Sequence, residues 1–319
     1  MENHRHCIRF YKTKRERTTS NSTYPLSRTG LFSRYIFVFL SLFLITIPCT
    51  NAQICQPVFP PTLSRLHEIL DDAGSYKVLC QFHISKDKGE CDVKDAYKIK
   101  SVVNLVCRPE YGSSGKCVID CPNTHFQIEP SAIAQFSGFE FRSATTSSIQ
   151  VLPHGVFYSR NNIFVGNGSK EKGGAIYAQP NSGTSIVFTT FESNYASEGG
   201  AIYIGNKGVN VYTASTLLGN TFAVNYADVG GALYIDERVK LTLIKNTFYG
   251  NYIDLEGGLG PAIYYAGFLA KYCHGNYGCD NGRTVCDGGW NAAIQKCEPF
   301  ETVCTYNPPT KGKHLIVRN

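Results

Sequence analysis

Between residues 122 and 272 apolar side chains recur at every second position, in short runs broken by Gly, Asn, Asp and Ser. Leu241 and Leu243 alternate with Thr242 and Ile244, and Ile186 and Phe188 alternate with Val187 and Thr189. Alternate side chains of a strand point to opposite faces, so this rhythm, rich in β-branched and aromatic residues, predicts short strands. One earlier stretch follows the helical period instead. Leu63, Leu66 and Leu70 share one helical face, with Thr62 or Ser64 placed to cap its start.

The strand-rich stretch repeats itself. Phe164-Val165-Gly166-Asn167 precedes Gly173-Gly174-Ala175-Ile176-Tyr177, and Phe191-Glu192-Ser193-Asn194 precedes Gly199-Gly200-Ala201-Ile202-Tyr203. Phe222-Ala223-Val224-Asn225 precedes Gly230-Gly231-Ala232-Leu233-Tyr234. In the fourth copy, Phe248-Tyr249-Gly250-Asn251 precedes Gly257-Gly258, and Leu259-Gly260-Pro261 is inserted before Ala262-Ile263-Tyr264. The phenylalanines are 27, 31 and 26 residues apart, and Phe141 opens a degenerate copy 23 residues before Phe164. Helical repeats are usually longer, at about 33 residues or more; a shorter period with strand rhythm marks a β-solenoid.

The expected fold is therefore all-β: a single-stranded right-handed parallel β-helix with an N-terminal capping helix and disulfide-rich ends. About six coils, spaced ~4.8 Å apart, would fill residues 122–272. Stacked Phe side chains form an aromatic ladder in its core, each burial stabilising by roughly 2–3 kcal/mol. Asn tolerates the left-handed geometry of a corner, and its amide bonds the same position one coil away or satisfies turn backbone groups. The Gly pairs supply positive φ or close backbone approach. In Gly-Gly-Ala-Ile/Leu-Tyr, Ile or Leu faces inward, while Ala and Tyr share the opposite face, with Tyr toward solvent or the coil boundary.

Open stack ends expose strand edges and need covers. Residues 53–121, with the short helix, read as an N-terminal Cys-rich cap, and residues 273–319 as a C-terminal Cys-rich segment and tail. Residues 1–52 read as a leader. Its apolar core, Tyr35 to Pro48, is short of the roughly 20 residues of a membrane span and suits a secretory signal cleaved before Gln53. An uncleaved signal anchor is the alternative, and either route exports the remainder.

Cysteine usage agrees with export. Cys55, Cys80, Cys91, Cys107, Cys117 and Cys121 precede the repeats, Cys273, Cys279, Cys286, Cys297 and Cys304 follow them, and residues 122–272 have none. A zinc site would show two close Cys pairs, whereas the C-terminal cysteines are separated by five, six, ten and six residues, so disulfides are expected at both ends, with an odd thiol left over. Net charge looks informative at +6, but residues 1–34 hold eight of 31 bases and two of 25 acids. Residues 35–52 hold neither, leaving 23 of each in residues 53–319. A neutral exported part argues against a nucleic-acid partner.

The Phe-x-x-Asn and Gly-Gly-Ala-Ile/Leu-Tyr arrangement, from about Gly138 to Gly267, resembles the repeat of the chlamydial polymorphic membrane proteins, found also in secreted β-helix proteins of microbial eukaryotes. The resemblance implies a pectin-lyase-like β-helix. In that family the repeats form a passenger region linked to adhesion. The Cys-rich ends depart from its pattern, so surface exposure carries over better than adhesion.

Catalytic chemistry on a β-helix needs a carboxylate cluster for Ca²⁺ with a basic partner, or paired acids for general acid–base work. Asp236-Glu237 and Asp254 with Glu256 are the nearest approaches, and neither recurs at one-coil spacing. His154-Gly155 resembles part of a polygalacturonase Gly-His-Gly, but Pro153 occupies the first Gly position. Asn167-Gly168-Ser169 is a glycosylation sequon. The reading is a secreted or cell-surface, non-enzymatic protein without cofactor or metal, serving adhesion, cell-envelope or matrix interaction. A glycan or a cell-surface protein is the expected partner; the outward tyrosines read first as ordinary strand-face packing, with a carbohydrate-stacking surface as the alternative, and membrane contact arises only through an uncleaved leader. The alternative is a polysaccharide lyase or glycoside hydrolase with a diverged site.

Overall fold

The computed structural model describes residues 62–71, 76–109, 115–206, 213–253, 260–266 and 270–279. The leader, Cys55, Cys286, Cys297, Cys304 and Gly257-Gly258 lie outside the described residues. Strands stack in parallel into two eight-stranded sheets, one seven-stranded sheet and one three-stranded sheet. The first sheet runs from Tyr76–Cys80 to Ala270–His274, the second from His83–Ser85 to Tyr277–Cys279, and the third from Tyr97–Ile99 to Ile263–Tyr265. The chain visits the sheets in that order in every coil; the fourth sheet (Tyr195–Glu198, Tyr226–Val229, Tyr252–Ile253) lies between second and third. The expected parallel β-solenoid is what forms.

Its start differs from the expectation. Among the described residues stacking begins at Tyr76, so residues expected only to cap the solenoid supply its first coil and the first- and second-sheet strands of its second. Among the described residues the cap is the helix Leu63–Asp71. Thr62 Oγ1 accepts from Arg65 N at 3.3 Å, capping the helix, and Leu63, Leu66 and Leu70 are buried. Leu63 N donates to Glu90 O at 2.8 Å and Tyr97 Oη to Asp71 Oδ1 at 2.8 Å, fixing the helix on the first coil. Cys91–Cys121 ties neighbouring coils together between their second- and third-sheet strands, while Cys107–Cys117 closes a loop within one coil. Two disulfides fit an oxidising compartment. Cys80 is buried, and Cys273 and Cys279 belong to the last strands of the first and second sheets.

The core is ordered by ladders. Phe141, Phe164, Phe191, Phe222 and Phe248 are fully buried and in register, with centroids 4.9, 5.1, 4.9 and 4.8 Å apart. Beside them, Asn167, Asn194, Asn225 and Asn251 are buried where the chain leaves the second sheet. Asn194 Oδ1 accepts from both N and Nδ2 of Asn167 at 3.0 Å, and Asn225 and Asn251 repeat the arrangement. Each Nδ2 also donates backward to a Phe carbonyl, as Asn194 does to Phe164 O at 3.0 Å. One side chain thus bonds the coils on either side of its own.

A left-handed residue precedes each Asn and turns the corner: Gly166, Ser193, Val224 and Gly250 have φ from +49° to +60°. Bulky left-handed residues are costly, at about 1–2 kcal/mol, and they constrain the next coil. Phe188 (φ +51°) leans over Gly219, where a Cβ would lie 2.6 Å from its ring. Phe188 was expected to share a face with Ile186, but the corner interrupts the alternation and leaves it 55% exposed.

The Gly pairs make a tighter corner. Gly173, Gly199 and Gly230 have positive φ, and a Cβ there would meet the carbonyl three residues on at 2.1–2.3 Å. A Cβ on Gly174, Gly200 or Gly231 would lie 2.0–2.4 Å from a carbonyl of the next coil. In the fourth copy Gly260-Pro261 takes this role. Gly231 N donates to Gly260 O as Gly200 N does to Gly230 O, and Gly260 has φ +67°. Pro261 has no N–H, so that donor ladder ends there. Ile176, Ile202, Leu233 and Ile263 face inward as expected, but so do Ala175, Ala201, Ala232 and Ala262, because the corner precedes the strand.

Replacing Asn194 by Ala strips partners from Asn167 N, Asn167 Nδ2 and Phe164 O at once. Each orphaned buried group costs about 1–3 kcal/mol, and Asn194→Ala is expected to lower the urea unfolding free energy by at least 3 kcal/mol. His125 gives a pH signature. It is buried on Phe141, with Nε2 donating to Cys121 O at 2.9 Å and Nδ1 accepting from Ser148 Oγ at 2.8 Å. Burial outweighs the carbonyl bond and lowers its pKa from 6.5 to about 4. The folded state refuses a proton that the unfolded chain accepts. Stability from this residue is complete above pH 6.5, falls by about 1.4 kcal/mol per pH unit below it, and levels off below about pH 4. Urea titrations across this window, compared with His125→Gln, should show the extra slope in the parent alone.

Candidate recognition surface

The ladders leave two ordered arrays of side chains outside the core. Third-sheet strands place Ile or Leu inward and the following Tyr outward, which aligns Tyr177, Tyr203, Tyr234 and Tyr264. Their centroids are 5.6, 4.8 and 4.9 Å apart. Tyr203 is nevertheless buried, at 3% exposure. Lys172 Nζ lies 4.4 Å from its ring centroid, donates to its hydroxyl at 3.1 Å and pairs with Glu198 at 3.6 Å. Tyr203 Oη donates to Asp236 Oδ2 at 3.3 Å. Burial, then Asp236 and Glu198, holds the Tyr203 phenol far above its usual range; burial, then Glu198 and Asp236, does so for Tyr234. Burial, Glu171 and Glu198 also raise Tyr177. These phenols stay neutral through physiological pH.

The fourth sheet makes the second array. Tyr195, Tyr226 and Tyr252 stack at 5.4 and 5.3 Å with interplanar angles of 13° and 11°. Tyr195 and Tyr252 are about a third exposed. Below Tyr195 lies Gly168, where a Cβ would be 2.0 Å from the ring. Tyr195 therefore lies between Gly168 and Tyr226, and Tyr226 between Tyr195 and Tyr252, so the faces within the stack are occupied. A sugar ring finds little open face within this stack.

Of the residues singled out for chemistry, Asp254 and Glu256 lie outside the described residues, and Asp236 and His154 are committed to internal bonds. Asp236 is buried: Oδ2 accepts from Tyr203 Oη and Asn206 N, and Oδ1 from Glu237 N. Glu237 is exposed beside it. His154 occupies an exposed turn at φ +67°, its ring bonded to the Asn181 amide at 3.0 Å. No group of three or more His, Cys, Asp or Glu gathers among the described residues in a way that could hold a metal ion. The Asn167 sequon reading is corrected. Asn167 is fully buried, and its Nδ2 donates to Phe141 O at 2.9 Å and Asn194 Oδ1 at 3.0 Å, leaving no valence or space for a glycan in the folded ladder.

Sequence reasoning missed two arrays that carried a signal. Tyr follows Asn in Asn194-Tyr195, Asn225-Tyr226 and Asn251-Tyr252, which is the fourth-sheet ladder. A second Asn ladder, Asn220, Asn246 and Asn276, repeats the same bonds at the corner before the second sheet. Its signal is an Asn two residues before Phe in Asn162, Asn220 and Asn246. Thr189 interrupts it, passing only its backbone N–H to Asn220 Oδ1 at 2.9 Å.

Compared with protein families, the chain matches the Chlamydia polymorphic membrane protein repeat at residues 163–179 and 188–205. These are the first two Phe, Asn and Gly-Gly copies, here folded as parallel β-solenoid coils. Comparison with curated proteins and with solved structures returned no match. Intact mass and peptide mapping of protein secreted from a glycosylating host should find Asn167 unmodified; folded protein with a glycan on Asn167 would contradict the buried ladder.

Proposed function

We propose that this chain is an exported or cell-surface β-helix that works by binding rather than by catalysis, in adhesion or in contact with a cell envelope or extracellular matrix. The observation that carries the reading is where the repeated residues go. Phe, Asn and Gly are consumed by core and corners, and the repeat leaves tyrosine arrays as its regular outward feature. A surface that repeats each coil suits a polymer or an extended protein segment, because one contact recurs along the stack and multiplies avidity. The disulfides and the repeat match support exposure outside the cytosol. The partner, a glycan or a cell-surface protein, is met through hydroxyls and ring edges.

Asp236 supports binding over a diverged hydrolase or lyase. A general acid or base needs an oxygen that can reach substrate, whereas both Asp236 oxygens hold internal donors. Residues 53–319 should retain polysaccharides or whole cells without cleaving them, and combined Tyr195→Ala, Tyr226→Ala and Tyr252→Ala should weaken retention at least tenfold while the fold persists by circular dichroism. Reproducible bond cleavage lost in Asp236→Asn would sink the binding reading.

A further inference from the structure

The fourth-sheet tyrosines meet conditions that the third-sheet ladder does not meet. Tyr195, Tyr226 and Tyr252 occupy successive coils in strict register, with rings nearly parallel at 5.4 and 5.3 Å. The outer two are 37% and 36% exposed, and Tyr226 is half-buried between them. In the third sheet, Tyr203 is buried beneath Lys172, with its hydroxyl held between Lys172 and Asp236. Tyr177 meets it edge-on at 74°, and Tyr264 is tilted 37° from Tyr234. Tyr203 and Tyr234 are also near-parallel, at 4.8 Å and 15°, but Tyr203 is withheld by burial; among these tyrosine ladders an oxidant at the surface finds adjacent, parallel and exposed phenols in the first set.

We propose that Tyr195, Tyr226 and Tyr252 form a dityrosine cross-linking site, at which a peroxide-driven one-electron oxidant of the haem-peroxidase class joins Tyr226 to one of its neighbours. Each of two phenols gives up one electron and its hydroxyl proton, yielding two phenoxyl radicals. Their unpaired electrons pair as a carbon–carbon bond between ring carbons ortho to oxygen. The hydrogens on those carbons then shift to the oxygens, restoring two phenols. Two hydrogen atoms leave the protein, and one peroxide is reduced to two waters. Register matters because radical coupling competes with quenching, and a neighbour held one coil away has a high effective concentration. The product staples two coils by a covalent bond in the cysteine-free stretch 122–272, beyond the reach of the Cys91–Cys121 tie between the first coils. In the cell this rests on the proposed export, which exposes the face to oxidants; the chemistry itself can be tested without it.

Purified residues 53–319 at low concentration, treated with a haem peroxidase and hydrogen peroxide, should yield a monomer lighter by two hydrogens with dityrosine fluorescence. Peptide mapping should join Tyr226 to Tyr195 or Tyr252. Tyr226→Phe keeps the ring stack but removes the central phenol, and should lower the intramolecular yield at least tenfold; Tyr203→Phe should leave it unchanged. A monomer of unchanged mass, cross-links confined to pairs of chains, joined peptides from the third-sheet ladder, or full yield in Tyr226→Phe would each overturn the assignment. Thermal unfolding of each variant before oxidation separates loss of the fold from loss of the reactive pair. Polysaccharide or cell retention by unoxidised protein is scored separately, so failure of cross-linking and failure of the binding reading remain distinguishable.

Discussion

The side-chain amide that bridges coils is the constraint from which the rest of this solenoid follows. A chain turning from one sheet to the next leaves backbone groups at the corner that no strand partner reaches, and such groups are costly when buried. Asn solves this with one acceptor and two donors placed on a short arm. Asn194 accepts from two groups of Asn167 and donates to Phe164 O and to Asn225 Oδ1. Thr189 shows the limit of substitution at the equivalent corner. Its hydroxyl pairs with Ser159 at 3.0 Å instead of continuing the amide chain.

Fixing the Asn fixes its neighbours. The residue before it takes a left-handed conformation, and the Phe three residues before it is drawn into register with the Phe of adjacent coils. The Tyr after Asn194, Asn225 and Asn251 is then thrown outward at the same place on each of these three coils, so the fourth-sheet ladder is a by-product of the corner. Gly168 stands where the ladder begins because Tyr195 needs the space. Stability and the character of the outer surface thus come from one short motif.

Much of this was legible. The solenoid class, the Phe ladder, the Asn contacts and the leucine face of the capping helix follow from period and residue type, because each repeats an environment that only a few side chains satisfy. What was hidden depended on pairings between distant residues. The first two coils lack the repeat signature: Ile119 stands where later coils have Phe, and disulfides hold the chain there, so the segment resembled a cap. Gly257-Gly258 matched the pattern, but the inserted residues moved the corner to Gly260-Pro261, and only the cross-coil bond from Gly231 reveals that shift. Asn167 satisfied a sequon by letters alone; its burial comes from its neighbours one coil away.

The same geometry changes what the tyrosines mean. Read as letters, a row of outward aromatics suggests platforms for sugar rings. In the solenoid, the spacing of about 4.8 Å that stacks the strands also closes the gap between rings, since 5.3–5.4 Å leaves no room for a ligand between them. A β-helix with aromatics on every coil therefore hides their faces and presents edges and hydroxyls, and its contact with a partner becomes polar and periodic. Open aromatic face survives only where a ladder is broken, as at a coil that lacks the residue. By that logic Phe188, 55% exposed at a left-handed corner and leaning over Gly219, is a less regular surface than the tyrosines but a more open one.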